Sequence, residues 1–156
     1  MLTREQFLPH EMRIVAALRM QGASDEQVIV RVKSENLFQY PTERMVANRV
    51  TVCLRRLDAM VPTDAVCAAR GIDPKTAVEA ASSLTRLMAS GTPTQTDQAI
   101  FYSMICRYDI VRELVLVEVG ERLQNFDYAF TAVDLNAFMT RFTTEYPDAA
   151  RWTEAT

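Results

Sequence analysis

The most distinctive chemistry in this sequence lies in a basic segment between positions 44 and 56, which contains no Asp or Glu. Arginine side chains match the geometry of phosphate oxygens, and Asn and Thr can hydrogen-bond to base edges. On a helix, positions 44, 48, 51 and 55 follow one another at i, i+4, i+7 and i+11 and therefore share a face. The segment suggests a helix that contacts nucleic acid. Its candidate contact residues are Arg44, Asn48, Arg49, Thr51, Arg55 and Arg56.

The same arginines also have a structural interpretation. Arg49 and Arg56 are one heptad apart, so they could pair with acids of neighbouring helices such as Glu11 or Asp58. Charged runs on helices are also common on faces that simply contact solvent. The residues alone leave both interpretations open.

Patterns typical of catalytic sites are missing from the sequence. It has no Gly-rich phosphate loop, no Cys-x-x-Cys and no His-Glu-x-x-His. Catalysis by a Ser–His or Cys–His pair would depend on the single histidine, His10, near the N-terminus. We therefore expect a protein that is not an enzyme and that has no metal, no other cofactor and no small-molecule substrate.

Composition indicates a cytoplasmic protein. The three cysteines (Cys53, Cys67 and Cys106) are widely spaced and odd in number, which favours reduced thiols over disulfides. No apolar run approaches the roughly 20 residues that a membrane-spanning helix needs, and the N-terminus lacks a secretory signal. Charge is uneven: residues 1–60 hold nine Arg and Lys against seven Asp and Glu (+2), and residues 61–156 hold eight against thirteen (−5).

Hydrophobic spacing and capping residues predict an all-α protein, a compact bundle of about seven helices. The first helix is expected from Thr3 or Arg4 to Gln21, the second begins with a capping box at Ser24, and the third runs over 42–59. Two helices joined by a turn, the second of them basic, are the outline of a helix-turn-helix, although the connector of roughly seven residues is longer than in the compact motif. We expect a helix-turn-helix-like subdomain over 1–60 and a helical bundle over 61–156.

Several start signals predict the helices of the second part. Asp73 and Pro74 form a cap followed by Pro at the first helical position, Thr94 with Asp97 opens the next helix, and Thr131 with Asp134 forms a capping box. The segment 114–119 is apolar on most sides, which favours a central buried helix and leaves a strand as the alternative.

Longer blocks of the sequence resemble the BrxA family of BREX phage-defence operons. The blocks are 36–45 (Asn-Leu-Phe-Gln-Tyr-Pro-Thr-Glu-Arg-Met), 53–58 (Cys-Leu-Arg-Arg-Leu-Asp), 11–15, 134–138 and a Trp-x-x-x-Thr signature at 152–156. The resemblance covers nearly the whole chain. Relatives continue beyond this signature into a further helical segment, which we expect to be absent here.

The resemblance implies a small helical accessory protein whose relatives are thought to bind double-stranded DNA. The partners to expect are therefore double-stranded DNA and other BREX proteins, with the basic helix as the DNA contact. Members were formerly described as inner-membrane proteins, which the hydropathy of this chain does not support. The alternatives are a protein-interaction subunit that does not bind nucleic acid, and a helical bundle that binds RNA.

Overall fold

The computed structural model describes residues 7–150, and every regular element in that range is helical. A π-helical segment (Glu113–Val119) links α7 to α8 without a break, so these three pieces form one helix. Counted in this way, the described residues contain seven helices of ten or more residues, which confirms the predicted all-α fold class and the number of helices. The helices are α1 (Pro9–Met20), α2 (Asp25–Ser34), α3 (Glu43–Ala59), α4 (Asp64–Arg70), α5 (Pro74–Ser90), α6 (Pro93–Arg107), α7 (Asp109–Arg112), α8 (Gly120–Gln124), α9 (Ala132–Glu145) and α10 (Pro147–Ala150).

Contacts within the chain divide the described residues into two units, 7–107 and 108–150. In the first unit, α1, α2 and α3 pack on one another. However, α5 packs along α1, and α6 packs on α1 and α3. The first unit therefore extends well beyond the subdomain boundary predicted at residue 60.

The first helix begins later than predicted. Phe7 and Leu8 are not helical, and α1 begins at Pro9. A proline disfavours right-handed helical backbone at the residue before it, and Leu8 lies outside the helix in a left-handed conformation (φ 59°). The predicted start at Thr3 or Arg4 is therefore wrong, because the proline is the first residue of the helix rather than an interior one.

Side-chain caps position α2 and α3. The predicted capping box is present: the Ser24 amide donates to Gln27 Oε1 (2.9 Å) and the Gln27 amide donates to Ser24 Oγ (3.3 Å). The Thr42 hydroxyl accepts from the Met45 amide at the start of α3. In the connector 35–42, the Asn36 side chain bonds both backbone polar groups of Tyr40. These bonds fix the connector without a compact turn.

Removing the cap of α2 gives a simple test of this local structure. We expect Ser24→Ala to lower the free energy of unfolding by about 1 kcal/mol, since the Gln27 amide at the helix start loses its acceptor. Ser83→Ala is the matched control, because the Ser83 hydroxyl only donates back to the Glu79 carbonyl inside α5. Chemical denaturation of the two variants measures the difference, and equal stability would contradict the capping role.

The core of unit 7–107 lies between α1, α2, α3, α5 and α6. All five residues predicted for the inward face of α3 are buried: Val46, Val50, Cys53, Leu54 and Leu57. They pack with residues of α1 such as Met12 and Val15 and with Ile100 of α6. This packing leaves the opposite face of α3 exposed.

Unit 108–150 has a much smaller core, which includes Phe138 and Phe142 of α9. Arg122 stabilises the turn before α9 by forming ion pairs with Glu118, Asp127 and Asp134. The sequence favoured a helix over a strand for segment 113–119, and the segment is helical. However, none of its residues is buried. The expectation of a central buried helix there is wrong.

The start of α6 also differs from the prediction. The helix begins at Pro93, and the cap is Thr92 with Gln95 rather than Thr94 with Asp97. Pro93 lacks an amide hydrogen and therefore fits the first position of the helix. The predicted Thr131–Asp134 capping box at α9 is present.

Candidate nucleic-acid interface

One face of α3 is largely exposed and carries two of the arginines predicted to contact nucleic acid, Arg44 and Arg55. Arg44, Asn48 and Arg55 are all exposed on it, with Thr51 half-buried between them. Within residues 7–150, neither Arg44 nor Arg55 takes part in an ion pair. We call this set (Arg44, Asn48, Thr51 and Arg55) the α3 stripe.

The polar side chains of the α3 stripe differ in what they can still bind. The Thr51 hydroxyl donates to the Ala47 carbonyl (2.9 Å), which uses its proton within the helix. Asn48 is exposed and its side-chain amide makes no hydrogen bond within the part of the chain that the structure describes. Asn48 is therefore the residue of the α3 stripe best suited to a base edge, where an amide can both donate and accept.

Arg56 does not belong to the exposed face. Its side chain is fully buried (0% exposed) and donates to the Phe7 carbonyl (3.1 Å). Residues 55 and 56 are adjacent in sequence but point about 100° apart on a helix, so one faces solvent and the other the core. The candidate role of Arg56 in contacting nucleic acid is wrong, since its side chain has no accessible surface.

Arg49 lies half-buried beside the same region of the core. The positive charge of Arg49 acts to lower the pKa of Tyr40 and of Cys53, although other causes raise both pKa values further. Arg49 also has an interaction of its own within the protein. The buried Glu11 carboxylate accepts a hydrogen bond from the Tyr40 hydroxyl. Arg49 therefore lies at the edge of a polar cluster between α1, α3 and the connector. We call Glu11, Tyr40, Arg49, Cys53 and Arg56 the Glu11 cluster.

Local electrostatics in the Glu11 cluster follow from burial and from the acid. The hydrogen bond to Glu11 raises the pKa of Tyr40, because ionisation would place two negative charges together. Burial raises the pKa of the Cys53 thiol to about 12. Both groups are therefore neutral at neutral pH, and the Cys53 thiol is unsuited to act as a nucleophile.

The three cysteines are expected to react in a definite order. Cys53 and Cys67 are buried, whereas Cys106 is half-buried. Only a thiolate attacks an alkylating reagent, and it must also be accessible. At pH 8 we expect iodoacetamide to modify Cys106 first and the other two only on unfolding, as followed by peptide mass spectrometry. Modification of Cys53 in the folded protein at the rate of Cys106 would contradict the burial.

A groove at the C-terminal end of α3 brings in a residue that the sequence did not indicate. Arg55 and Arg107 line this groove together with Cys106, although Arg107 lies at the end of α6, far along the chain. Nothing in the local sequence around Arg107 marks it as a partner of the basic segment. Only the packing of α6 on α3 places the two arginines on one surface.

Residues 7–150 contain no group of three or more His, Cys, Asp or Glu side chains placed to hold a metal ion. None of the helices in this range has the length and apolar character needed to cross a bilayer.

These features define a class: within residues 7–150, an all-α protein with an exposed basic stripe on its third helix. The BrxA family model matches residues 1–156, the whole chain, and the protein belongs to the BrxA family. The blocks at 11–15, 36–45, 53–58 and 134–138 lie within the described residues, and the Trp152–Thr156 signature lies outside them. Comparison with curated proteins and with solved structures gave no match.

Proposed function

We propose that this protein serves BREX phage defence by binding double-stranded DNA through the α3 stripe, without catalysing a reaction. Membership of the BrxA family suggests the defence role. The observation that supports DNA binding is that Arg44 and Arg55 are exposed on one face with no acidic partner in residues 7–150. Arginines held by acids would have to break those pairs before they could bind phosphate.

The dimensions of α3 suit the major groove of B-form DNA. Arg44 and Arg55 are eleven residues apart, which on a helix is about 16 Å. The major groove is about 12 Å wide and admits an α-helix. The two long arginine side chains can therefore reach phosphates at the two sides of the groove, while Asn48 lies over the base edges between them. With one base-reading candidate, sequence preference is expected to be weak.

Salt dependence tests this proposal on the intact protein. Each neutralised phosphate contributes a slope of about −0.9 to log affinity against log salt, so the two arginines of the α3 stripe predict a slope of about −1.8. Fluorescence anisotropy on a labelled duplex from low to moderate salt measures it. The same titration with structured RNA as competitor separates DNA from RNA as the preferred ligand. Absence of duplex binding at low salt would contradict the proposal.

A second candidate function, a protein-interaction subunit, is favoured by the surface of unit 108–150. Three aromatic or aliphatic side chains there are strongly exposed: Phe126 (79%), Tyr128 (73%) and Val133 (75%). Leu116 and Leu123 are also more than half exposed. Apolar surface of this kind often marks a contact with another protein. Co-purification with other BREX proteins that is lost in Leu116→Asp/Leu123→Asp, together with failed DNA binding, would favour this candidate.

A further inference from the structure

The groove beside α3 continues the α3 stripe. It is an open depression of about 520 Å³, and Arg55 belongs both to the stripe and to the groove wall. Arg107, at the C-terminal end of α6, forms part of the same wall. A ligand that lies along the α3 stripe and passes Arg55 would therefore meet Arg107 next.

The charge and lining of the groove suit a phosphodiester chain. The acid in its wall, Asp58, is paired with Arg19 (2.9 Å), so its negative charge is partly offset. The remaining lining includes Ala59, Val61 and Pro62, which offer apolar contact at the level of a sugar. Two guanidinium groups beside apolar surface match the alternation of phosphate and deoxyribose along a strand.

We propose that this groove is a second DNA contact, in which Arg107 binds a backbone phosphate outside the segment that faces α3. This inference rests on the proposed function, because it extends the same bound duplex. It assigns to α6 a role in DNA binding, and it raises the number of arginine–phosphate contacts from two to three. The salt slope is then about −2.7 rather than −1.8.

Cys106 is a native reporter for occupation of this groove. It lines the groove and is half-buried, whereas Cys53 and Cys67 are buried. When a duplex is present at ten times its dissociation constant, about a tenth of the protein is free, so alkylation of Cys106 should slow about tenfold. The full chain is treated with iodoacetamide with and without a 20-bp duplex, and anisotropy on the same samples reports binding.

The outcomes separate the two proposals. Slower alkylation of Cys106 on binding supports the groove contact. Duplex binding with an unchanged alkylation rate overturns the groove contact and leaves the proposed function standing. No duplex binding at low salt overturns both.

A substitution at Arg107 distinguishes a phosphate contact from simple coverage by nearby DNA. Arg107→Gln should reduce the salt slope by about 0.9, and Arg107→Lys should retain it because the charge remains. Arg107 also has an interaction within the protein, so replacing it can lower the stability of the fold. The thermal unfolding of both variants is therefore measured together with their DNA binding. An unchanged salt slope in a folded Arg107→Gln variant would overturn the assignment of Arg107.

Discussion

Replacing both Arg44 and Arg55 by glutamate is expected to weaken duplex binding at least 100-fold. Each charged hydrogen bond contributes about 1.5 kcal/mol or more, and the loss of two gives about 3 kcal/mol, which corresponds to about 100-fold in affinity. Charge reversal adds repulsion from the phosphates, so this figure is a lower bound. Anisotropy at low salt measures the loss.

The matched control for this variant is the same charge change on another helix. Lys75 and Arg86 are exposed on α5, so Lys75→Glu/Arg86→Glu alters the net charge equally while leaving α3 intact. We expect this control to lower affinity far less. An equal loss in the two double variants would show that binding follows overall charge, and an undiminished affinity of the α3 variant would exclude the α3 stripe.

The second large effect is expected on stability, from Arg56→Ala. This substitution leaves a cavity where a fully buried side chain packed and removes the donor to the Phe7 carbonyl. Truncating a large buried side chain and leaving the Phe7 carbonyl without its donor together cost about 3 kcal/mol or more. For a chain of this length, 3 kcal/mol corresponds to a decrease in Tm of about 6–12 °C. Differential scanning calorimetry measures the change.

The neighbouring arginine provides the control. Arg55 is exposed, so Arg55→Ala should change the free energy of unfolding by no more than about 0.5 kcal/mol. The expected pattern is therefore reversed between the two properties: Arg56→Ala destabilises the fold, and Arg55→Ala weakens DNA binding. Equal stability of the two variants would contradict the burial of Arg56.

The sequence predicted local features well because short-range physics determines them. The Ser24 capping box and the inward face of α3 depend on residues three or four positions apart, and the structure contains both. The separation of Arg55 from Arg56 could have been anticipated from helix geometry, since the apolar residues Cys53 and Leu57 indicate the buried side. Residue type alone suggested otherwise, because a buried arginine is rare.

Other features depended on contacts between distant parts of the chain. No local pattern relates Arg107 to the basic segment, and only the packing of α6 on α3 does so. The apolar character of 113–119 predicted burial, yet Leu116 remains 58% exposed. Periodicity can show that a helix is apolar, but it cannot show which surfaces of the fold are available to cover it.

The most direct test of the central claim is a photo-cross-link from the middle of the α3 stripe. A benzoylphenylalanine introduced at position 48, in place of Asn48, should form a covalent adduct with duplex DNA on irradiation at low salt. The same group at position 79, in place of the exposed Glu79 of α5, should not. If both variants bind duplex DNA but only the one with the group at position 79 forms an adduct, the proposal that α3 is the DNA-binding helix is contradicted.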